Sequence, residues 1–398
     1  MKKCILLLLF SAIISALHAD LVWDESYGWK PTADIFFEFN NAPSEVLQLM
    51  NDARWAQDAD RIGEALANYT RVCKRYPDTI FAPEAYYQIG KIRVSRRQFN
   101  DAFDAFNAIT KKYPKYPRFN NVLREEFEIA RLLKSGERPK YFGVIPGFRD
   151  YRATFNFYKK IVEGAPFSDI APLALSHMGE LAISKDEPKD AIAALEQLID
   201  SYPHSEYAPW AYFTLGEIYS KMVKSPLYDQ GATKLAMSYY EDFFTLYPDD
   251  ERVAEAREAY NEMKVRLAMS KILLGDFYFN AKNNPRAAVI MYRKAAKELP
   301  DSYAADEARM KIEHIKYGQL PRRTPVDFLF GRYERPRDER VADIDNIPDG
   351  SSDDDKFDLG LDFVRIKSSD PSDRKKFSNP DDPGRDDVFL EVGPHGSF

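Results

Sequence analysis

Five histidines, His18, His177, His204, His314 and His395, are the side chains best suited to ligating a metal or moving a proton near neutral pH. They are scattered, and none has a second ligand beside it at metal spacing. The chain holds no HExxH pair, no Walker loop, no GxGxxG opening a helix and no GxSxG elbow. Carboxylate pairs such as Glu125 and Glu126 sit on helical stretches with Lys and Arg nearby, the pattern of a solvated face rather than of an acid and base pair. Cysteine offers as little. With Cys4 inside the N-terminal apolar segment, Cys73 of ANYTRVCKRYP is the one thiol left, which cannot close an internal disulfide and reads as a small buried residue. These residues point away from an enzyme, and no cofactor or metal is expected.

The chemistry left is non-covalent recognition. Tyr87 and Lys91, and further on Trp210, Phe213, Glu217 and Lys221, flank small residues on helical stretches and combine aromatic faces with charge, a lining that suits an extended peptide. Packing between repeats competes with that role, as strongly as peptide contact for Phe213 and less so for Lys91 and Lys221.

A helical repeat must position these side chains. The stretch from Pro77 to Pro114, PDTIFAPEAYYQIGKIRVSRRQFNDAFDAFNAITKKYP, reads as helix, turn and helix, with Gly90 in the first helix, Ala102 and Phe106 in the second, and a Tyr-Pro pair that stops it. Measured from its closing proline, the unit ending at Pro203 has Gly179, Ala191 and Leu195 at the same offsets. YFTLGEIY, with Gly216, is followed by Ala236, Tyr240 and Pro248, its helices separated by SPLYDQGATK. A later unit has Gly275, Ala288, Tyr292 and Pro300. Weaker units carry Ala65 and Tyr69 before Pro77, and Tyr158 and Ile161 before Pro166. Small residues let paired helices approach, and the large side chain four residues after each Ala fills the groove beside them. This is the spacing of tetratricopeptide (TPR) repeats. The expected fold is all-α, a TPR-like α-solenoid of about six helical hairpins over residues 43–318.

The flanks read differently. Residues 1–19, MKKCILLLLFSAIISALHA, have the Lys pair, apolar run and small residue of a signal peptide, so the mature chain is expected to be exported. Residues 20–42 hold two Trp and three Phe without a helical period and are expected to form an extended N-terminal cap over the first helices. In the third unit, SGERPKYFGVIPGFRDY interrupts the hairpin with Gly, Pro and aromatics. Such insertions collect on one face of a solenoid, which makes this loop a candidate contact site. Residues 319–398 are acidic and rich in Pro, Ser and Gly. From Pro321 onward 13 Lys and Arg face 19 Asp and Glu, a net of −6 out of the chain's −7, and a mostly disordered tail is expected. The array is therefore near neutral, and nucleic acid is not an expected partner.

An export signal followed by units that end in Tyr-Pro and re-enter through a small and aromatic helix (YPDTIFAPEAYYQIG, YPHSEYAPWAYFTLG) resembles the BamD-type outer-membrane protein assembly factors. The resemblance runs from about Pro43 to His314. It implies a periplasmic scaffold at the inner face of the outer membrane that binds the barrel-forming subunit and unfolded outer-membrane proteins, with Tyr87 and Lys91 in the substrate groove and the units around Gly216 and Gly275 at the partner-docking end. The same repeat form occurs in other envelope TPR adaptors, such as Tol-Pal and cell-division coordinators. The chain departs from the family pattern at its start, where Cys4 precedes the apolar run instead of following it as a lipobox requires, and peripheral membrane association is then the alternative to a lipid anchor.

Overall fold

The computed structural model describes residues 21–31, 43–223, 230–282 and 284–317. The expected signal peptide and the acidic tail of residues 319–398 lie outside the described residues. Among those described, thirteen helices follow one another: α1 (Ser44–Asp58), α2 (Ile62–Arg75), α3 (Phe81–Ser95), α4 (Phe99–Lys112), α5 (Phe119–Lys134), α6 (Tyr151–Gly164), α7 (Ile170–Ser184), α8 (Pro188–Ser201), α9 (Ala208–Met222), α10 (Gln230–Leu246), α11 (Val253–Asn280), α12 (Pro285–Glu298) and α13 (Tyr303–Lys316). Each helix packs chiefly on the helix before and the helix after it. That nearest-neighbour pattern is what makes the chain a TPR solenoid. The helices pair into six hairpins, α1 with α2 through α11 with α12, and α13 packs against the last of them.

Within four of the hairpins the glycine of the first helix is the floor on which the large residue of the second rests. A Cβ on Gly90 would stand 2.4 Å from Phe106, on Gly179 2.6 Å from Leu195, on Gly216 2.6 Å from Tyr240 and on Gly275 2.5 Å from Tyr292. No side chain fits at such distances, so the packing predicted from the spacing is enforced sterically. Phe106, Leu195, Tyr240 and Tyr292 are all buried. Burying a side chain of that size is worth roughly 2–3 kcal/mol, repeated at every seam.

The first helices of the first four hairpins end in one shared geometry. Asp60, Arg97, Gly136 and Asp186 follow a helix end with φ of +57°, +56°, +100° and +56°. The paired bonds of a Schellman cap surround each, for example Arg97 N to Val94 O at 2.8 Å and Gln98 N to Arg93 O at 2.9 Å. Three of the four positions carry an ordinary side chain in the left-handed region, so the cap was not announced by glycine.

Between hairpins, the Tyr-Pro pairs do more than stop helices. Tyr113 Oη donates to the carbonyl of Pro77 at 2.8 Å, Tyr202 Oη to that of Pro166, and Tyr247 Oη to that of Pro203 at 3.2 Å. Each closing tyrosine thus bonds the proline that closed the preceding hairpin. In the first hairpin Tyr76 instead donates to the Glu45 carboxylate at 2.6 Å.

Two details differ from the sequence reading. The second helix of the fifth hairpin starts at Gln230, so Gly231 to Lys234 are helical rather than linker. The first helix of the sixth hairpin is continuous with the segment before it and forms α11, 28 residues long. At the N-terminus, residues 21–31 form an antiparallel pair, β1 (Leu21–Asp24) and β2 (Gly28–Pro31), with Trp23 opposite Trp29. Trp29 is buried against α1, its Nε1 donating to Met50 O at 3.3 Å and its backbone N to Asn51 Oδ1 at 3.1 Å.

Candidate peptide-binding surface

Tyr87 and Lys91 stand one turn apart on α3. The Tyr87 ring is half-buried, 5.8 Å from Phe106 and 6.4 Å from Tyr116, and the Arg118 guanidinium lies over it at 4.8 Å. Lys91 Nζ reaches Glu125 Oε1 on α5 at 2.7 Å, and this bond, the larger cause, raises the lysine's pKa above its ordinary value while the side chain stays 45 % exposed. Trp210, Phe213, Glu217 and Lys221 share α9. Trp210 is half-buried and crosses to the preceding hairpin, its ring edge 3.5 Å from where a Gly179 Cβ would be. Phe213 is buried between Tyr240 and Phe243, with ring centroids at 6.0 and 5.6 Å and Arg252 above it at 5.4 Å, so its side chain packs inside the array. Glu217 and Lys221 form an exposed pair at 3.8 Å. The six residues therefore fall into two sets on separate hairpins, each with a half-buried aromatic next to an exposed charge pair.

Sequence reasoning missed the polar joint between the second and third hairpins. Glu84, fully buried on α3, accepts from Arg118, from Tyr116 Oη at 2.7 Å and from Gln88 Nε2 at 2.8 Å. Nearby, Glu126 of α5 is buried against α4, where Asn107 Nδ2 and Thr110 Oγ1 approach one oxygen at 3.4 and 3.3 Å and the other oxygen has no partner. Burial pushes this carboxyl up to about 8, so it is largely protonated at neutral pH. The doubled Tyr-Pro in YPKYPR, residues 113–118, is the one sequence signal that this joint is unusual.

The other titratable residues fill structural roles. His177 lies between Phe127 and Tyr158, with Lys134 Nζ 3.0 Å from its Nδ1, and burial holds its pKa below the usual imidazole value. Cys73 is buried, its thiol pushed up to about 12, which makes it inert as a nucleophile. Among the described residues no three His, Cys, Asp or Glu are grouped to hold a metal ion, and no helix is long and apolar enough to cross a membrane.

Residues 150–324 match the family model described as an outer membrane lipoprotein, and residues 84–116 match a tetratricopeptide-repeat model. Among curated proteins, the outer membrane protein assembly factor BamD of Rickettsia prowazekii is 21 % identical over 164 residues, 41 % of this chain and 65 % of that protein. The factor of the same name from Caulobacter vibrioides is 22 % identical over 149 residues, 37 % of this chain and 48 % of that one. The chain thus spans less than two thirds of the length of either relative. Among solved structures, MamA is 16 % identical with a TM-score of 0.24, covering 61 % of this chain and 98 % of its own. TTC0263, a thermophilic TPR protein of Thermus thermophilus, is 18 % identical with a TM-score of 0.24, covering 54 % and 98 %. Superpositions that loose carry no weight for this chain. The repeat match and the glycine seams make the chain a tetratricopeptide-repeat protein, similar over residues 150–324 to the outer membrane lipoprotein family and over part of its length to the BamD assembly factors.

Proposed function

We propose that this chain is a non-enzymatic periplasmic scaffold of outer-membrane β-barrel assembly. It sits at the inner face of the outer membrane, binds unfolded outer-membrane proteins and the barrel-forming subunit, and passes polypeptide on without covalent chemistry. The observation that carries this reading is the match of residues 150–324 to the outer membrane lipoprotein family. The surfaces on α3 and α9 support it. Tyr87 and Trp210 offer half-buried aromatic faces to an extended chain, while Phe213 packs between Tyr240 and Phe243 inside the array. The Lys91–Glu125 and Glu217–Lys221 pairs are exposed, so each contributes little to stability and exchanges readily for charges on a bound peptide.

Affinity purification from envelope fractions tests the proposal. It should recover a large β-barrel protein, and depletion should lower the amounts of outer-membrane proteins. Lys91→Glu with Lys221→Glu should weaken capture of unfolded barrel polypeptide by about tenfold, roughly 0.7 kcal/mol for each reversed charge. Normal barrel assembly after depletion would overturn the reading.

A further inference from the structure

The insert of the third hairpin leaves an apolar tip uncovered. Two short strands, β3 (Lys140–Tyr141) and β4 (Ile145–Pro146), pair Tyr141 with Ile145 across a tight turn. Phe142 is 81 % exposed, Val144 73 %, Ile145 57 % and Phe148 85 %. Scattered exposed apolar residues are ordinary on a protein surface, but four of them within seven positions are not.

This tip is held in place. Phe142 and Gly143 take φ of +55° and +76°, a turn that is costly for a bulky aromatic and that carries its side chain outward. The base is locked by Lys140 N donating to Arg97 O at 2.7 Å and Gly147 N to Pro139 O at 2.6 Å, and Arg149 Nε donates to Gly136 O at 2.9 Å.

Charge selects the occupant. Residues 138–149 contain Arg138, Lys140 and Arg149 and no Asp or Glu, in a chain whose net charge is −7. Arg96 adds a guanidinium beside the turn, 3.0 Å from where a Gly143 Cβ would stand. At the base, Arg97, Arg138 and Lys140 line an open cavity of about 430 Å³ together with Glu137, whose carboxylate pairs with Arg97 at 3.2 Å. Exposed aromatic and aliphatic side chains with a cluster of cations beside them match a lipid interface, where the tip enters the acyl boundary and the cations meet headgroup phosphates. An apolar pocket on a protein would be met by the tip alone and leave these cations without a role.

We propose that the β3–β4 insert is a membrane-contacting tip that partitions into lipid surfaces bearing anionic headgroups. The proposal goes beyond the scaffold reading and stands whether or not the chain handles polypeptides.

The test uses the full chain and vesicles of phosphatidylglycerol and phosphatidylethanolamine, with phosphatidylcholine vesicles as the uncharged arm. Phe142→Ser with Val144→Ser should lower partitioning onto anionic vesicles by tenfold or more. Arg138→Gln with Lys140→Gln should lower it by about fivefold for each charge removed, and wild-type binding should weaken as salt rises. Phe167→Ser, at a fully exposed aromatic on the turn after α6 and outside the insert, should change nothing. A second readout is local to the tip. A Phe142→Trp variant should gain blue-shifted emission, quenched by brominated lipid, over the signal of the chain's own four tryptophans. The proposal is overturned if that tryptophan stays water-exposed on anionic vesicles, if the serine tip variant binds like wild type, or if Phe167→Ser weakens binding as much as the tip change does.

Discussion

The two sides of the second hairpin are held by different means. Inside it, α3 and α4 meet chiefly through shape, with Gly90 leaving room for Phe106, and Arg93 adds polar contacts to Gln98 at 2.9 Å and Asp101 at 3.2 Å. Where the hairpin meets the third one, Phe103 stacks on Phe157 at 4.0 Å, and buried polar groups join this apolar contact. Glu84 is buried beneath Arg118, Tyr116 and Gln88, while Glu126 sits among Asn107 and Thr110 with one oxygen unmatched. A seam of the first kind recurs in the fourth, fifth and sixth hairpins because it needs only two residues at the right spacing. The polar joint lies directly before the hairpin that carries the insert, where the repeat is most interrupted. Apolar seams tolerate a stack of near-identical units, whereas a buried, bonded charge fits one neighbour in one orientation.

The contrast predicts different failures. The largest effect is expected at the polar joint. Arg118→Met removes the cation from a fully buried carboxylate and should cost about 3–4 kcal/mol in urea unfolding, most of it recovered in the double variant with Glu84→Leu. A loss below about 1 kcal/mol would mean that Tyr116 and Gln88 suffice for Glu84 and that the joint is not held by charge. Next, Gly90→Val should cost about 2–3 kcal/mol by overpacking, since the new Cβ falls 2.4 Å from Phe106. In a double-mutant cycle with Phe106→Leu the two changes should be strongly non-additive. An additive result would show that α3 and α4 can slide apart and that shape does not set their distance.

The third effect is on pH dependence. In the fold the Glu126 carboxyl is raised from 4.5 to about 8, so between those values the folded chain holds a proton that the unfolded chain has lost. Stability is free of this penalty below pH 4.5, declines as pH rises, and levels off above pH 8. Glu126→Gln should remove that decline, giving a gain on the order of 2 kcal/mol at pH 8 relative to pH 5 when thermal unfolding is followed at both. Parallel pH profiles for the two proteins would place the Glu126 carboxylate in a solvated setting and erase the distinction between the joints.

Much of the architecture was legible in the chain. The residues that form each seam belong to one hairpin, and helical periodicity holds Gly90 and Phe106, or Gly179 and Leu195, at fixed places on their helices, so volume alone pairs them. Tyr87, Trp210 and Phe213 could be placed near those seams for the same reason. Their exposure could not, because it depends on which side chains of the partner helix and of the neighbouring hairpin close over them. Phe213 is covered by Tyr240 and Phe243, while Trp210 reaches back to Gly179.

Spacing and side-chain volume by themselves determined the all-α repeat, its six hairpins and the interruption in the third. Only the tertiary structure decided which distant groups meet. It brought Arg118 onto Glu84, 34 residues away, and Tyr113, Tyr202 and Tyr247 onto earlier proline carbonyls, 36 residues away for Tyr113 and Tyr202. It also turned a Gly- and Pro-rich insert into a paired hairpin tip with Phe142 in its turn. The physical reason is that helix formation and groove filling are local, set within one hairpin. The partners of a buried charge, a hydroxyl or an uncovered aromatic are set by how one hairpin stacks upon the next.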